Sequence, residues 1–213
     1  MYVKSRMTSN PYTIAFDAPI SEALTLMSEK NLKRLPVVDK EKVVGILTQG
    51  DIQKVSPTKA TSLSIFEINY LLSKTKVKDA MTKNAITVSQ DCLLEEAAVM
   101  MRDNRIGTLP VVDNGKLVGI ITESDIFDAF IELLGFKDKG SRITIESLDI
   151  PGSLADIAEA FETYNANITH AAVYRGTGKS DVVVRTNALN TEDIEKKLTE
   201  QGYKIVHKIV NDK

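Results

Sequence analysis

The hydrophobic pattern along the first 135 residues alternates between two kinds of segment. Short apolar runs rich in β-branched residues, such as Val43–Leu47 and Leu117–Ile121, are typical of buried strands. Other segments carry apolar residues at helical spacing, as Ile20, Leu24 and Met27 do. The pattern predicts the order strand, helix, strand, strand, helix, and it occurs twice.

The two occurrences are copies of one unit. The segment Pro36–Asp51 reads PVVDKEKVVGILTQGD, and Pro110–Asp125, 74 residues later, reads PVVDNGKLVGIITESD, with ten of sixteen positions identical. The same offset pairs Met7-Thr8 with Met81-Thr82. A repeat of this size indicates two tandem structural units.

Each copy ends its apolar run in the sequence Thr-x-x-Asp, at Thr48 and Asp51 and again at Thr122 and Asp125. The structural interpretation is that the threonines end strands and the aspartates cap the following helices. The functional interpretation is a polar clamp, in which the carboxylate accepts two ribose hydroxyls. The threonine and the helix N-terminal amides would then receive a phosphate.

The connecting regions give further predictions. Asp17 and Asp91 are expected to cap the first helix of each copy. Residues 62–73, between the copies, predict a helix with a broad apolar face formed by Leu63, Phe66, Ile68, Leu71 and Leu72. This helix either packs on the flank of the repeats or offers a surface to a partner.

The pattern changes after the glycine-bounded segment Gly135–Gly140, which predicts a domain boundary. The following segments predict a strand near Ile143, a helix from Leu154 to Phe161, strands at 167–174 and 181–186, a helix at 191–201 and a last strand from Tyr203. The order βαββαβ is the ferredoxin-like arrangement, so the whole chain is expected to be an α+β protein.

The composition of the chain limits the partners and activities that can be expected. The 213-residue chain has a net charge of −2 and a pI of about 5.8, which does not favour nucleic acid as a partner. It has no apolar run of membrane-spanning length and no signal peptide, so we expect a cytoplasmic protein without a membrane partner. One cysteine, Cys92, cannot form an intrachain disulfide, and the two histidines lie on predicted strands without a nucleophile or metal-ligand pattern. We therefore expect no enzyme activity.

The repeats resemble the CBS domain (cystathionine β-synthase domain), whose tandem pair is called a Bateman module. The resemblance rests on the Met-Thr pairs, on the Leu-Pro-Val-Val-Asp segments at Leu35 and Leu109, and on Gly-Ile-x-Thr-x-x-Asp at Gly45 and Gly119. It implies that an adenosine derivative binds in the cleft between the repeats.

The resemblance also implies roles for individual residues. Asp51 and Asp125 would bind ribose, with Thr48 and Thr122 nearby or on a phosphate. The base would be bordered by Ile46, Ile120, Pro11, Tyr12, Ala85 and Ile86. Lys33 and Arg34 stand where some members bind phosphate, but the second repeat has Gly107 and Thr108 there. This difference suggests either two unequal sites, or one site for a charged ligand and one that is empty or binds an adenosine-like ligand.

The C-terminal segment resembles the ACT domain, through Leu148-Asp149-Ile150-Pro151-Gly152-Ser153-Leu154 and Asn165-Ala166-Asn167-Ile168. Members often bind amino acids where two copies pair, which places Asp149, Gly152 and Asn167 near a ligand. The alternative is that Gly152 serves only the turn and Asn167 only starts a strand. Since members of both families often dimerise, a homodimer is expected.

Together these features resemble the acetoin utilization protein B group. The expected boundaries are 1–60 and 77–135 for the CBS repeats, 61–76 for the connecting helix, 136–141 for a linker and 142–213 for the ACT domain. The expected function is regulation through AMP, ADP or ATP, with no catalytic cofactor and no metal. The alternative is an interaction scaffold that binds no ligand.

Overall fold

A computed structural model describes residues 1–56 and 64–212. The chain divides into two compact units, Met1–Phe127 and Asp128–Lys213. Among the described residues, no helix combines the length and apolar character needed to cross a membrane. Residues 57–63, which include Ser62 and Leu63 of the predicted connecting helix, lie outside the described residues.

The first repeat begins after a 3-10 turn at Val3–Ser5. Its elements are strands β1 (Thr8–Ser9) and β2 (Ile14–Ala15), helix α1 (Ile20–Glu29), strands β3 (Arg34–Asp39) and β4 (Lys42–Thr48), and helix α2 (Gln49–Val55). A connecting helix, α3 (Ile65–Lys74), follows.

The second repeat has the same order. Its elements are helix α4 (Val77–Ala80), strands β5 (Thr82–Lys83) and β6 (Val88–Ser89), helix α5 (Leu94–Asn104), strands β7 (Thr108–Asp113) and β8 (Lys116–Thr122), and helix α6 (Glu123–Leu133). The duplication extends to backbone conformation, because left-handed residues recur at the same offset, as in Asn10 and Asn84 or Asn31 and Arg105.

The two repeats exchange strands. One sheet has the order β2-β3-β4-β5 and the other β1-β8-β7-β6, so each contains a short strand from the other repeat. Thr82 of β5 pairs with Ile46 of β4, and Thr8 of β1 pairs with Ile120 of β8. The Met-Thr pairs of the sequence are thus the points at which the repeats interlock.

The first helix of each repeat begins later than predicted. The N-cap of α1 is Pro19 and that of α5 is Leu93, and neither makes a side-chain cap. The prediction that Asp17 and Asp91 cap these helices is wrong. Proline disfavours helical geometry in the residue before it, which keeps α1 from starting at Asp17. Asp91 instead accepts a hydrogen bond from Lys4 Nζ at 2.7 Å.

The core of the first repeat lies between its helices and its sheet. Ile20, Met27, Leu35 and Leu47 are almost completely buried. Helix α3 contributes Leu72 to this cluster, with Ile68 packed against it. The connecting helix therefore packs on the flank of the repeat, while Phe66 and Tyr70 on the same helix remain exposed.

The C-terminal unit contains the predicted βαββαβ order. Its elements are β9 (Gly140–Leu148), α7 (Ser153–Thr163), β10 (Ile168–Arg175), β11 (Lys179–Thr186), α8 (Glu192–Glu200) and β12 (Lys204–Asn211). The strands form one antiparallel sheet in the order β10-β11-β9-β12. One face of it packs on Ile157, Phe161 and Leu198 of the two helices.

Candidate functional site

A cavity of about 610 Å³ lies within the N-terminal unit, where the first repeat's turn from β4 to α2 faces the second repeat. It is lined by Lys33, Arg34, Ile46, Thr48, Gln49, Gly50, Asp51, Thr82, Asn84, Ala85, Ile86, Arg105, Ile106, Gly107 and Thr108. Its volume falls within the range of about 300–1,000 Å³ that is common for ligand pockets. Both repeats contribute to it, because the strand exchange brings β5 beside β4.

Asp51 is held in place by a capping box at the start of α2. Its Oδ2 accepts hydrogen bonds from the Thr48 amide at 3.1 Å and the Thr48 hydroxyl at 2.7 Å. Its Oδ1 accepts one from Lys54 Nζ at 3.0 Å. Thr48 is thus the N-cap and Asp51 the third residue of the helix, which corrects the structural interpretation of Asp51 as the cap itself.

The electrostatic environment keeps Asp51 ionised. Burial raises the pKa of Asp51, but the hydrogen bonds from Thr48 and Lys54 outweigh it, and the net pKa lies below the ordinary value. A carboxylate has about four lone-pair positions. Since Lys54 is the one donor to Oδ1 among the described residues, this oxygen retains capacity for a ligand hydroxyl.

Three cationic side chains line the same cavity: Lys33, Arg34 and Arg105. Arg34 Nη1 donates to the Gly107 carbonyl at 2.5 Å and also to the Thr108 hydroxyl, so this side chain joins the first repeat to the second. A guanidinium has five N–H donors, so these two bonds leave donors for an anion.

Arg105 was not predicted as a site residue. It ends α5 in a left-handed conformation with φ of 54°, and its counterpart in the first repeat, Asn31, has φ of 51°. Asparagine is a common residue in this conformation, whereas arginine is not favoured there. A comparison of the repeats position by position, rather than by their shared motif, would have found this cation.

The second Thr-x-x-Asp element has the same local geometry in a different setting. Asp125 Oδ2 accepts hydrogen bonds from the Thr122 amide and hydroxyl, both at 2.7 Å. Neither residue lines the 610 Å³ cavity. A Cβ at Gly107 would lie 2.7 Å from Glu123 Oε2, so the Glu123 carboxylate lies close to Gly107. The second element therefore has an acid nearby, where the first repeat has Gln49.

The structure brings together only part of the predicted nucleotide set. Ile46, Ala85 and Ile86 line the cavity with Asp51 and the cations, whereas Ile120, Pro11 and Tyr12 do not. Tyr12 is half exposed, and Lys30 Nζ lies 5.3 Å from its ring centroid.

In the C-terminal unit, a smaller cavity of about 180 Å³ lies at the turn before α7, and Asp149 and Gly152 line it. Gly152 has φ of 100°, a conformation that favours glycine. Asp149 accepts a hydrogen bond from Arg175 Nε at 3.2 Å. Asn167 does not line this cavity. It is exposed, and its backbone N–H donates a hydrogen bond to Asn187 Oδ1 at 3.1 Å.

Comparisons with known proteins match both halves of the chain. The CBS domain model matches residues 3–57 and 77–132, and the ACT domain model matches residues 141–202. An inosine-5′-monophosphate dehydrogenase from Thermoplasma acidophilum is 39% identical over 116 residues, which is 54% of this chain. The match spans 21% of the dehydrogenase.

Three solved structures are similar to the N-terminal part. A protein from Vibrio cholerae described as a candidate acetoin utilization protein (AcuB) aligns with a TM-score of 0.53 and 30% identity, covering 64% of this chain and 95% of that one. CBSX2 in complex with AMP aligns with a TM-score of 0.51 and 30% identity, covering 62% and 96%. The CBS domain pair of protein MJ0100, in complex with 5′-methylthioadenosine and S-adenosyl-L-methionine, aligns at 0.51 and 32%, covering 61% and 99%.

Proposed function

Because the chain belongs to the CBS domain family and carries an ACT domain after its two repeats, we propose that it is a non-enzymatic regulatory protein that senses an adenine nucleotide. The observation that supports this most strongly is the joint placement of Asp51 and three cations around one cavity of about 610 Å³. Structures of similar CBS pairs contain AMP in one case and adenosyl compounds in another.

The roles within this site follow from the chemistry of its lining. Asp51 accepts the ribose hydroxyls on Oδ1, and Thr48 holds the carboxylate in orientation. Lys33, Arg34 and Arg105 bind the phosphate, because cations and a forked guanidinium suit phosphate oxygens. The apolar side chains Ile46 and Ile86, with Ala85 beside them, border the base. AMP, ADP and ATP all match this combination.

The second Thr-x-x-Asp element suits a different ligand. At the positions equivalent to Lys33 and Arg34 the second repeat has Gly107 and Thr108, and Glu123 brings a negative charge close to them. We propose that Asp125 and Thr122, with Ile120, Pro11 and Tyr12 near the base, bind an adenosine derivative that lacks phosphate. A phosphate beside Glu123 would be repelled.

Titration calorimetry tests the first site. AMP is titrated into the wild-type protein and into the variants Asp51→Asn, Arg105→Asn and Asp125→Asn, with adenosine as the uncharged comparison. Loss of a charged hydrogen bond costs about 1.5–3 kcal/mol, so Asp51→Asn should weaken AMP binding roughly 10- to 100-fold. Arg105→Asn, which installs the residue of the other repeat, should weaken AMP but not adenosine.

The Asp125→Asn variant is the matched control. It should leave the AMP affinity unchanged and weaken adenosine at the second site. AMP binding that withstands Asp51→Asn contradicts the site assignment. If no adenosine compound binds the wild-type protein, an interaction scaffold without a ligand becomes the better account.

The C-terminal unit completes the proposal. We propose that its turn cavity at Asp149 and Gly152 takes a small metabolite such as an amino acid, and that Asn167 reaches a ligand from a second copy in a homodimer. The likeness to the Vibrio cholerae protein suggests acetoin or acetate metabolism as the regulated process. Light scattering at several protein concentrations tests the dimer, and a constant monomer mass contradicts it.

A further inference from the structure

The outer face of the C-terminal sheet carries two arginines, Arg142 and Arg185, that are not part of the proposed nucleotide site. Ile143 and Val184 point toward the helices and are almost fully buried. Successive side chains of a strand alternate between faces. Arg142 and Thr144 on β9, and Val183 and Arg185 on β11, therefore lie on the opposite face.

Two arginines oppose each other on this face. Arg185 and Arg142 are direct cross-strand partners in the sheet register. Like charges in this position destabilise a sheet. Arg142 Nη1 donates to the Thr144 hydroxyl at 2.9 Å, and the Arg185 guanidinium lies 6.0 Å from the Phe136 ring centroid. Within residues 1–56 and 64–212, no carboxylate forms an ion pair with either guanidinium.

The surroundings leave this pair with excess positive charge. Burial and the charge of Arg142 both lower the pKa of Arg185, while Asp138 acts in the opposite direction. The Asp138 carboxylate lies 3.6 Å from His170 Nδ1. The Asp138 carboxylate therefore acts on both Arg185 and His170.

An apolar groove begins beside the two arginines. Val183 and Thr144 are each only 8% exposed although they face away from the core helices. Val183, the end of α6 and the following segment line a cavity of about 280 Å³, which is just below the usual range for small-molecule sites of about 300–1,000 Å³. Its apolar lining comes mainly from Phe130, Ile131, Leu134, Phe136, Tyr174 and Val183.

We propose that this groove binds a small carboxylate with an apolar body, whose carboxylate lies on Arg142 and Arg185. Two adjacent guanidiniums match the two oxygens of a carboxylate, and the partial burial of both arginines strengthens the attraction. A second copy of the chain is a poorer occupant. Two copies meeting on this face around a two-fold axis would bring two arginine pairs together.

Nuclear magnetic resonance tests the proposal with 3-phenylpropionate as the probe and 3-phenylpropionamide as its uncharged match. Saturating AMP is present throughout, to occupy the cations of the other cavity. We expect 3-phenylpropionate to shift the Val183 methyl signals but not those of Ile46, and the amide to bind at least tenfold more weakly. Equal binding of the amide overturns the role of the arginines, and shifts at Ile46 without shifts at Val183 overturn the location.

Variants give an independent test. Arg142→Gln and Arg185→Gln should each weaken 3-phenylpropionate at least tenfold. Because each relieves a repulsion, each should also raise the stability of the ligand-free protein toward urea. The control is Lys179→Gln on the same strand, since Lys179 Nζ contacts Glu146 Oε1 at 2.7 Å outside the groove. Loss of binding in the control alone, or a shift of the protein from dimer to monomer in the arginine variants, contradicts the proposal.

Discussion

Gly45 shows how closely the two repeats interlock. It lies in β4 opposite β5, and a Cβ placed on it would lie 2.5 Å from the Thr82 carbonyl oxygen and 2.9 Å from Met81 Sδ. Its counterpart Gly119 meets mainly the Met7 side chain, with the Thr8 carbonyl oxygen at 3.2 Å. Both glycines permit a strand of one repeat to join the sheet of the other. A Cβ at Gly45 would meet a backbone atom first, whereas a Cβ at Gly119 would meet a side chain first.

We expect Gly45→Ala to be the more damaging of the two substitutions. The carbonyl of Thr82 belongs to the backbone and cannot move without breaking the β4–β5 pairing, whereas the Met7 side chain can change rotamer. Gly45→Ala should cost about 1–3 kcal/mol in the free energy of unfolding and Gly119→Ala clearly less. Urea denaturation of both variants measures the difference. An equal or larger cost at Gly119 contradicts this account.

Asp51 leads to a prediction about acid stability. Its pKa is lower in the folded protein than in the unfolded chain, so its ionised form stabilises the fold. This contribution is fully present above the unfolded pKa of about 3.9 and is lost as the pH falls through the lower folded value. The stability difference between wild type and Asp51→Asn should therefore shrink as the pH is lowered from 6 to 3.

Urea denaturation at a series of pH values, without ligand, measures that difference. The comparison variant is Asp125→Asn. Asp125 accepts the same two hydrogen bonds from Thr122, but the second repeat has Asp128 at the position equivalent to Lys54. A difference between wild type and Asp51→Asn that stays constant down to pH 3 contradicts the assignment of a lowered pKa.

The site was only partly predictable from the sequence, for reasons visible in single residues. Thr48 and Asp51 were found because their motif is duplicated. Arg105 was missed because the repeats differ at this position, where the first repeat has Asn31. The hydrogen bond from Arg34 to the Gly107 carbonyl depends on the strand exchange between the repeats, which no local sequence pattern predicts. The separation of Asn167 from Gly152 is likewise a matter of tertiary placement.

At the scale of elements, periodicity predicted the helices better than their ends. The βαββαβ order of the C-terminal unit is confirmed, since the 3.6-residue and 2-residue periods are distinct there. The starts of α1 and α5 were predicted wrongly from acidic residues. Proline geometry at Pro19 and a tertiary contact at Asp91 decided those positions instead.

Helix α3 allows a test of what a connecting helix contributes. Leu72 is buried in the core of the first repeat, whereas Phe66 is 86% exposed. Leu72→Ala should cost about 2–4 kcal/mol, because it removes buried apolar surface and leaves a cavity. Phe66→Ser should stay within about 0.5 kcal/mol of wild type. Urea denaturation measures both. A large cost for Phe66→Ser would mean that this exposed face is covered in solution.

All residues that line the 610 Å³ cavity, the proposed nucleotide site, lie in the N-terminal unit, Met1–Phe127. A ligand at 100 times its dissociation constant stabilises the state that binds it by about 2.7 kcal/mol. Regulation of the C-terminal unit by the nucleotide requires some of that free energy to reach this unit, because coupling between sites is itself a free energy. The distribution of the stabilisation between the two units therefore measures whether nucleotide binding regulates the C-terminal unit.

Native-state hydrogen exchange with and without AMP makes this measurement. We expect amides of β4, β7 and α5 to gain protection close to the full amount, and amides of β9 and β11 to gain a smaller but measurable part. Asp51→Asn at the same AMP concentration should lower both gains together, since both arise from one binding event, and a 10- to 100-fold weaker affinity leaves about 0.4–1.4 kcal/mol of the stabilisation. Protection confined to Met1–Phe127 would show that the units are energetically independent. Nucleotide binding would then stand without regulation of the C-terminal unit, and any partner would have to read the repeats directly.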